Sequence, residues 1–514
     1  MSLFQLTKGH LLRHLLLYFI CLICHGSCFS AQGQSAGSLP RSKPSDQGLD
    51  PVQLSNFVRS LDEQIQGMHS LMILRHGMVV AEGWWAPYRA EDPHVLYSLS
   101  KSFTSTALGM AVSEGRLSID DRLVDLFPDQ VPKDASGNLK AMRVRDLLTM
   151  TTGHQEEPPI SPDEVSVASF MRAPVPHLPG THFKYNTAAT FMQSAIVHHL
   201  TQTSLLDYLQ PRFFKPLGIE NPVWDSNAEG IALGGYGLRA RTEDIAKLGQ
   251  LYLQKGRWGQ QVLLAEDWVQ LATSKQVSNG SHPDNDWNQG YGFQFWRCRH
   301  DAFRGDGAFG QYCVVLPKLD VVLAITSGVS DMQATLNMIW DQFLPACLPV
   351  KRLKASTADA ALQKSLSELK IPGVQGKATS SAFPHQERVF RLEENPDGFK
   401  YLRLSQDADS QSLLLSLEGA ETHVQLCAGY QGWKRGTSDI PVGRLAHFQR
   451  EPIAGTYAWE NPQKLVMKVC ATQTPFHLLV SLAFDGEVVE MNWASNVAFG
   501  KREKETLQGR AMQP

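Results

Sequence analysis

The chain has 514 residues, 43% of them hydrophobic and 19% charged, a globular composition that excludes a disordered or coiled-coil protein. At about 150 residues per domain, that length admits two or three domains. Lys and Arg number 48 against 51 Asp and Glu, a net charge of −3. This balance gives no electrostatic footprint for nucleic acid or for an acidic membrane surface.

Lys8 and Arg13 precede an apolar run at 15–24, and small residues follow at Gly26, Ser27, Ser30 and Ala31. Such a run falls short of the about 20 residues a membrane span needs and suits a signal peptide. Residues 1–30 are therefore predicted as a signal peptide, and the mature protein as exported, periplasmic or extracellular, without a transmembrane span. Residues 31–48, rich in Gly, Ser and Pro, read as a linker.

A helix is predicted from Pro51, with Leu54, Phe57, Val58, Leu61 and Ile65 on one face. Apolar runs at 71–75 and 78–82 meet at His76-Gly77 and predict a β-hairpin. Trp84 and Trp85 follow it and read as packing residues. From Ser98 the pattern turns helical, including a helix that Thr242, Glu243 and Asp244 open and Gly256 closes. Strand patterns return at 291–297, 310–316 and 321–326, before a helix at 332–343. Strands bracketing a helical block predict an α+β domain: one antiparallel sheet flanked by helices, with a helical subdomain.

Residues 351–385 read as a connector with one helical stretch, broken at Pro372-Gly373. Beyond it, β-rich runs recur at 388–392, 412–417, 422–427, 464–470, 477–484 and 488–493, with Asp485-Gly486 as a hairpin turn. They predict a separate all-β, barrel-like or sandwich domain over 386–514. The remaining cysteines, Cys298, Cys313, Cys347, Cys427 and Cys470, have no metal-ligand spacing, so no metal or cofactor is expected. Free buried thiols are the expectation for each, and Cys298 with Cys313, or Cys427 with Cys470, are the pairs that an oxidising compartment could bridge.

Ser98-Leu99-Ser100-Lys101 places a serine and a lysine three residues apart at a helix start, where they share a face. A hydroxyl becomes a useful nucleophile once a neighbouring base takes its proton, and a partly buried lysine can be that base. The spacing alone is common; Ser367 and Lys370 repeat it in the connector. At Ser98, however, Leu99, Phe103, Ala107 and Met110 form a core stripe, and Ser102 and Ser105 continue a small polar face.

In this context YSLSKSFTSTALGMAVSEGRLSIDDRLVDLFPD, residues 97–129, resembles the nucleophile helix of the penicillin-recognising serine hydrolases, the class C β-lactamases, D,D-peptidases and related esterases. VRDLLTMTTGH (144–154), LPGTHFKYNTAATF (178–191), GGYGLRARTEDIAKLGQLYLQKGRW (234–258) and DGAFGQYCVVLPKLDVVLAITSG (306–328) resemble further blocks of that family, in the same order. The resemblance implies a β-lactamase-like domain over 49–350. It implies Ser98 as nucleophile, Lys101 as base and Tyr185 as the phenol that passes a proton to the leaving group. The oxyanion hole would be the backbone N–H groups of Ser98 and of Gln311, which follows Gly310. The C-terminal block, ending NVAFG at 496–500, resembles the lipocalin-like barrels appended to some of these hydrolases.

Two positions depart from the family pattern. Its Tyr-x-Asn reads Tyr185-Asn186-Thr187, leaving Asn186 as the candidate substrate amide one position early. Its Lys/His-x-Gly reads Ala308-Phe309-Gly310, so the cation that helps receive a β-lactam carboxylate is absent; Arg304 and Asp306 are candidates to reshape the pocket. His154, after Gly153 at a helix end, reads as a capping or surface residue. The expected activity is hydrolysis of a small acyl or peptide ester or amide through an acyl-enzyme, of esterase or D-amino-acid peptidase type, without efficient β-lactam hydrolysis. A non-catalytic sensor or ligand-binding protein on the same scaffold is the competing reading, and transpeptidation to an amine a third.

Overall fold

Two antiparallel sheets organise the chain, one open and one closed on itself. The computed structural model describes residues 37–347, 357–381, 383, 387–407, 411–440 and 450–512; the predicted signal peptide lies outside these residues. From Leu39 onward the chain forms a single unit.

Helix α1 (Pro51–Gln64) starts where Asp50 accepts hydrogen bonds from the N–H groups of Val52 and Gln53, and buries the predicted stripe Leu54, Phe57, Val58 and Leu61. The hairpin β1 (Met68–Arg75) and β2 (Met78–Trp84) follows. Trp85, just after it, is buried and donates through Nε1 to Asp62 Oδ1 at 2.7 Å. The helical block contains α2 (Ser100–Ser113), α3 (Thr187–Thr201) and α4 (Thr242–Leu253). Strands β3 (Trp296–Arg297), β4 (Phe303–Gly307), β5 (Gln311–Leu316) and β6 (Val321–Ser327) then complete a six-stranded sheet in the order β2-β1-β6-β5-β4-β3.

Helices cover both faces of this sheet. Leu71 and Ile73 enter the core shared with Leu54 and Phe57 of α1, whereas Met72 and Leu74 enter the core shared with Phe103 of α2 and Leu248 of α4. Alternate residues on one strand thus serve two cores, so β1 and β6 read as continuous apolar runs rather than an alternation.

Two strand expectations change. Within 291–297 only Trp296–Arg297 pairs in the sheet, because the preceding carbonyls turn inward: Ser105 Oγ donates to Phe293 O at 2.8 Å and Ser102 Oγ to Gln294 O at 2.9 Å. Strand β4, Phe-Arg-Gly-Asp-Gly, has no strand-like pattern; it stays buried because Arg304 and Asp306 pair with each other, Nε to Oδ2, at 2.9 Å.

Neither predicted spacer is loose where it is described. Leu39 is buried, Arg41 pairs with Glu82 and Glu243, and Ser42 N–H bonds Val79 O, so the latter part of 31–48 lies on the sheet edge. In the connector, α5 (Thr357–Ser367) buries Leu362 and Leu366 in the α1 core.

The six predicted C-terminal runs all form strands, and four more join them. They are β7 (Arg388–Leu392), β8 (Phe399–Asp407), β9 (Ser412–Gly419), β10 (His423–Tyr430), β11 (Lys434–Ser438), β12 (Glu451–Asn461), β13 (Lys464–Ala471), β14 (His477–Asp485), β15 (Val488–Ser495) and β16 (Leu507–Ala511). Nine of them close into a barrel through a parallel pairing of β10 with β12, at Gly429 with Thr456, while β11 hangs on the edge of β12. Inward residues of β14, Leu478, Val480, Leu482 and Phe484, alternate with more exposed ones, and the interior is filled by side chains including Phe390 and Trp459. All five described cysteines are free thiols. No helix among the described residues is long and apolar enough to cross a membrane.

Candidate active site

Helix α2 is buried almost all round, from Ser100 to Ala111. A helix with so many hydroxyls tolerates this because each finds a nearby acceptor: Thr104 Oγ1 donates to Gly234 O at 2.8 Å, and Thr106 Oγ1 pairs with the Tyr252 hydroxyl at 2.9 Å. Small side chains also let backbones approach closely. A Cβ at Gly307 of β4 would lie 2.0 Å from Leu96 O, so only glycine lets the sheet abut the turn that carries Ser98.

Ser98 lies in a 3₁₀ turn, Tyr97–Leu99, immediately before α2. Tyr97 takes φ 46°, a left-handed conformation that tyrosine rarely adopts. The Ser98 side chain remains partly accessible, whereas Lys101, one turn on, is 1% exposed. Lys101 Nζ lies 3.1 Å from Ser98 Oγ and donates to Gly235 O at 2.8 Å and Thr187 Oγ1 at 3.4 Å. Burial pulls the Lys101 ammonium from its usual range down to about 7, with Glu157 and Asp306 opposing the fall. A lysine in that state offers a neutral amine near neutral pH, which an ordinary surface lysine does not.

Tyr185 shares the pocket. Its ring centroid lies 5.0 Å from Lys101 Nζ, its phenol is close enough to Ser98 to feel it electrostatically, and its ring stacks on Trp296 at 5.4 Å. Burial raises its pKa far above the ordinary phenol range, and Ser98 only partly opposes that. The phenol therefore keeps its proton and can donate it. Under the Tyr185–Trp296 stack lies the buried Arg304–Asp306 pair; burial raises the Asp306 carboxyl and Arg304 pulls it back.

Gly310, at φ 92°, turns the chain into β5, and Gln311 opens that strand opposite Gly307. The Gln311 side chain is held by Ser327: Nε2 donates to Ser327 O at 2.7 Å and Oε1 accepts from Ser327 N–H at 3.2 Å.

Asn186 does not fill the place expected of it. It is fully buried as the N-cap of α3, with Oδ1 accepting from Ala189 N–H at 3.1 Å and Nδ2 donating to Thr152 Oγ1 at 3.2 Å. One residue on, Thr187 meets Lys101. His154 is not a surface residue either; it is buried against Phe170, bonds Thr152 Oγ1 through Nδ1 at 2.9 Å, and burial drops it to about 4.

Sequence reasoning passed over three features. Glu157, in the loop after His154, accepts a short hydrogen bond from Thr187 N–H. Trp296 backs Tyr185. Phe476 and Phe499 of the C-terminal region pack on Phe309 at 5.6 and 4.7 Å, and Phe499 also meets Tyr97 at 5.4 Å. Ala308, where the family carries a cation, joins this apolar cluster with Val95 and Val497. None has a local pattern; the neighbours that matter are far away in the chain.

A serine turn, a buried lysine and a tyrosine gathered between a helical block and an antiparallel sheet define the penicillin-recognising class of fold. The family profile described as Beta-lactamase matches residues 54–335, and the chain belongs to that family. It is 23% identical over 225 residues to a putative D-alanyl-D-alanine carboxypeptidase of Escherichia coli K12, covering 38% of this chain and 52% of that one. It is 27% identical over 187 residues to a D-aminopeptidase of Brucella anthropi, covering 34% and 36%. With a 6-aminohexanoate-dimer hydrolase of Paenarthrobacter ureafaciens it shares 22% identity over 288 residues, covering 51% and 73%. The chain thus spans about half the length of the carboxypeptidase relative and about a third of the aminopeptidase.

Proposed function

We propose that the protein is an exported serine hydrolase that cleaves an ester or amide of a small acyl or peptide substrate through an acyl-enzyme on Ser98. One observation carries this reading: Lys101 Nζ stands 3.1 Å from Ser98 Oγ in a setting that holds it near pKa 7. Neutral Lys101 accepts the hydroxyl proton as Ser98 Oγ attacks the carbonyl carbon. The oxyanion is received by the backbone N–H groups of Ser98 and Gln311. Tyr185, kept protonated by burial and set beside Lys101, delivers a proton to the departing alcohol or amine. The Tyr185 phenolate then takes a proton from water as it attacks the acyl carbon, and the Lys101 ammonium returns its proton to Ser98 Oγ as the acid leaves.

The names of the relatives, a carboxypeptidase, an aminopeptidase and an amide hydrolase, support the amide and peptide end of this range. Ala308 and its apolar neighbours leave no cation for a β-lactam carboxylate, so penicillin is expected to acylate slowly and turn over poorly. The closed C-terminal barrel supports the lipocalin-like reading; its role here is to wall the pocket with Phe476 and Phe499 rather than to carry chemistry.

Intact-mass spectrometry of the purified chain with a fluorophosphonate, activated esters and a D-alanyl peptide ester tests the proposal. An adduct on the wild type that is missing from Ser98→Ala is expected. A folded wild type that takes no adduct and turns over none of them would overturn it in favour of a binding protein.

A further inference from the structure

The charge pattern around the site differs from one built to hold a substrate carboxylate. The position that supplies a cation in the family is Ala308, packed among apolar side chains. Of the two carboxylates that act on Lys101, Asp306 is bonded by Arg304 Nε at 2.9 Å and is thereby compensated. The other is Glu157. It is exposed, it sits on the first turn of α3, and its Oε1 accepts the N–H of Thr187, the residue whose hydroxyl Lys101 contacts at 3.4 Å. It acts on Lys101 more strongly than Asp306 does, and it acts on Tyr185 as well. Among the described residues no ion pair is made by Glu157. One uncompensated anion therefore stands at the mouth of a pocket whose lysine is close to half neutral at pH 7.

On the reading of Ser98 as the nucleophile, we propose that Glu157 receives a protonated amine of the substrate. The enzyme then selects acyl donors that carry a free amino group close to the scissile carbonyl, such as amino-acid amides, esters and N-terminal peptide bonds. N-acylated or carboxylate-bearing counterparts are disfavoured. An ammonium beside Glu157 completes a charge pair at the pocket mouth, whereas a carboxylate there meets like charge. The helix end contributes by fixing one carboxylate oxygen, so the other is presented without loss of side-chain freedom on binding.

The test uses the full chain and three probes: D- and L-alanine p-nitroanilide, their N-acetyl counterparts, and p-nitrophenyl butyrate with Ser98→Ala as control. The wild type is expected to favour the free-amine anilide over its N-acetyl form. Glu157→Gln keeps an oxygen for the Thr187 N–H but loses the charge. It should cut that preference by about tenfold or more, mainly through KM. Glu157→Asp should retain part of the preference. A preference that Glu157→Gln leaves intact, or a wild type that favours the N-acetyl probes, would overturn the proposal while Ser98-dependent butyrate hydrolysis still upholds the serine hydrolase. Loss of Ser98-dependent turnover on every probe would sink both.

Discussion

Lys101 and Lys247 lie on different helices of the same domain, each 1% exposed, and each donates to a backbone carbonyl, Gly235 O at 2.8 Å and Gly218 O at 3.0 Å. Their other neighbours differ. Lys247 Nζ stands 3.9 Å from both a Glu243 and an Asp244 oxygen, on its own helix. Lys101 has hydroxyls in those places, Ser98 and Thr187, and among the described residues no carboxylate within ion-pair distance. Both ammonium groups bear the cost of leaving water, and burial lowers the pKa of both. Only at Lys247 do carboxylates of the same helix oppose that cost. The pair shows that burial alone does not make a lysine a base. Burial without an adjacent anion, beside a hydroxyl, does.

Exchange of each lysine tests this contrast. Lys101→Met should lower kcat/KM for an activated ester by on the order of a thousandfold, read under single-turnover conditions, since the nucleophile loses its base. Wild-type activity should rise with pH through about 7 and then level, because the neutral amine is the active form. Stability follows the same shift. Between about 7 and the unperturbed 10.5 the folded chain binds fewer protons at Lys101 than the unfolded chain. The destabilisation is thus fully present below pH 7 and is relieved as pH rises across that window. Urea titrations at pH 6 and 9 should show this slope in the wild type and lose it in Lys101→Met.

Tyr185→Phe should cost about a hundredfold in kcat, with less effect on a substrate whose leaving group is a good phenolate than on an amide. An equal loss on both would deny Tyr185 the proton delivery. The smallest effect on turnover belongs to Lys247→Met. Its kcat should match the wild type, while loss of the Glu243 and Asp244 contacts lowers stability by about 1 kcal/mol in chemical denaturation, since Arg41 and Arg241 still pair with those carboxylates. A fall in kcat without a fall in stability would break the contrast.

Much of this was legible along the chain. The Leu54–Leu61 stripe and the helix phase that sets Lys101 beside Ser98 rest on a repeat of 3.6 residues, and the hairpin on two apolar runs that meet at His76-Gly77, signals that neighbours in sequence impose. β-rich runs recurring along the C-terminal region likewise marked six barrel strands. Strand β4 escaped because the Arg304–Asp306 pair replaces apolar residues. The segment at 291–297 was read as a whole strand because its sequence does not show that α2 draws the Phe293 and Gln294 carbonyls inward. Asn186 illustrates the same limit, since its type suited either a substrate contact or a helix cap, and its burial beside Thr152 decided for the cap.

The sequence by itself determined the family, the serine–lysine spacing and the order of the blocks, because local periodicity and motif spacing are properties of adjacent residues. Only the tertiary structure decided that Lys101 sits near pKa 7, that Thr187 holds it, that Glu157 faces it, and that Phe476 and Phe499 pack on Phe309 beside Ala308. Each of these depends on desolvation or contact between residues far apart in the chain. Those quantities exist only once the sheet, the helical block and the barrel have closed around Ser98.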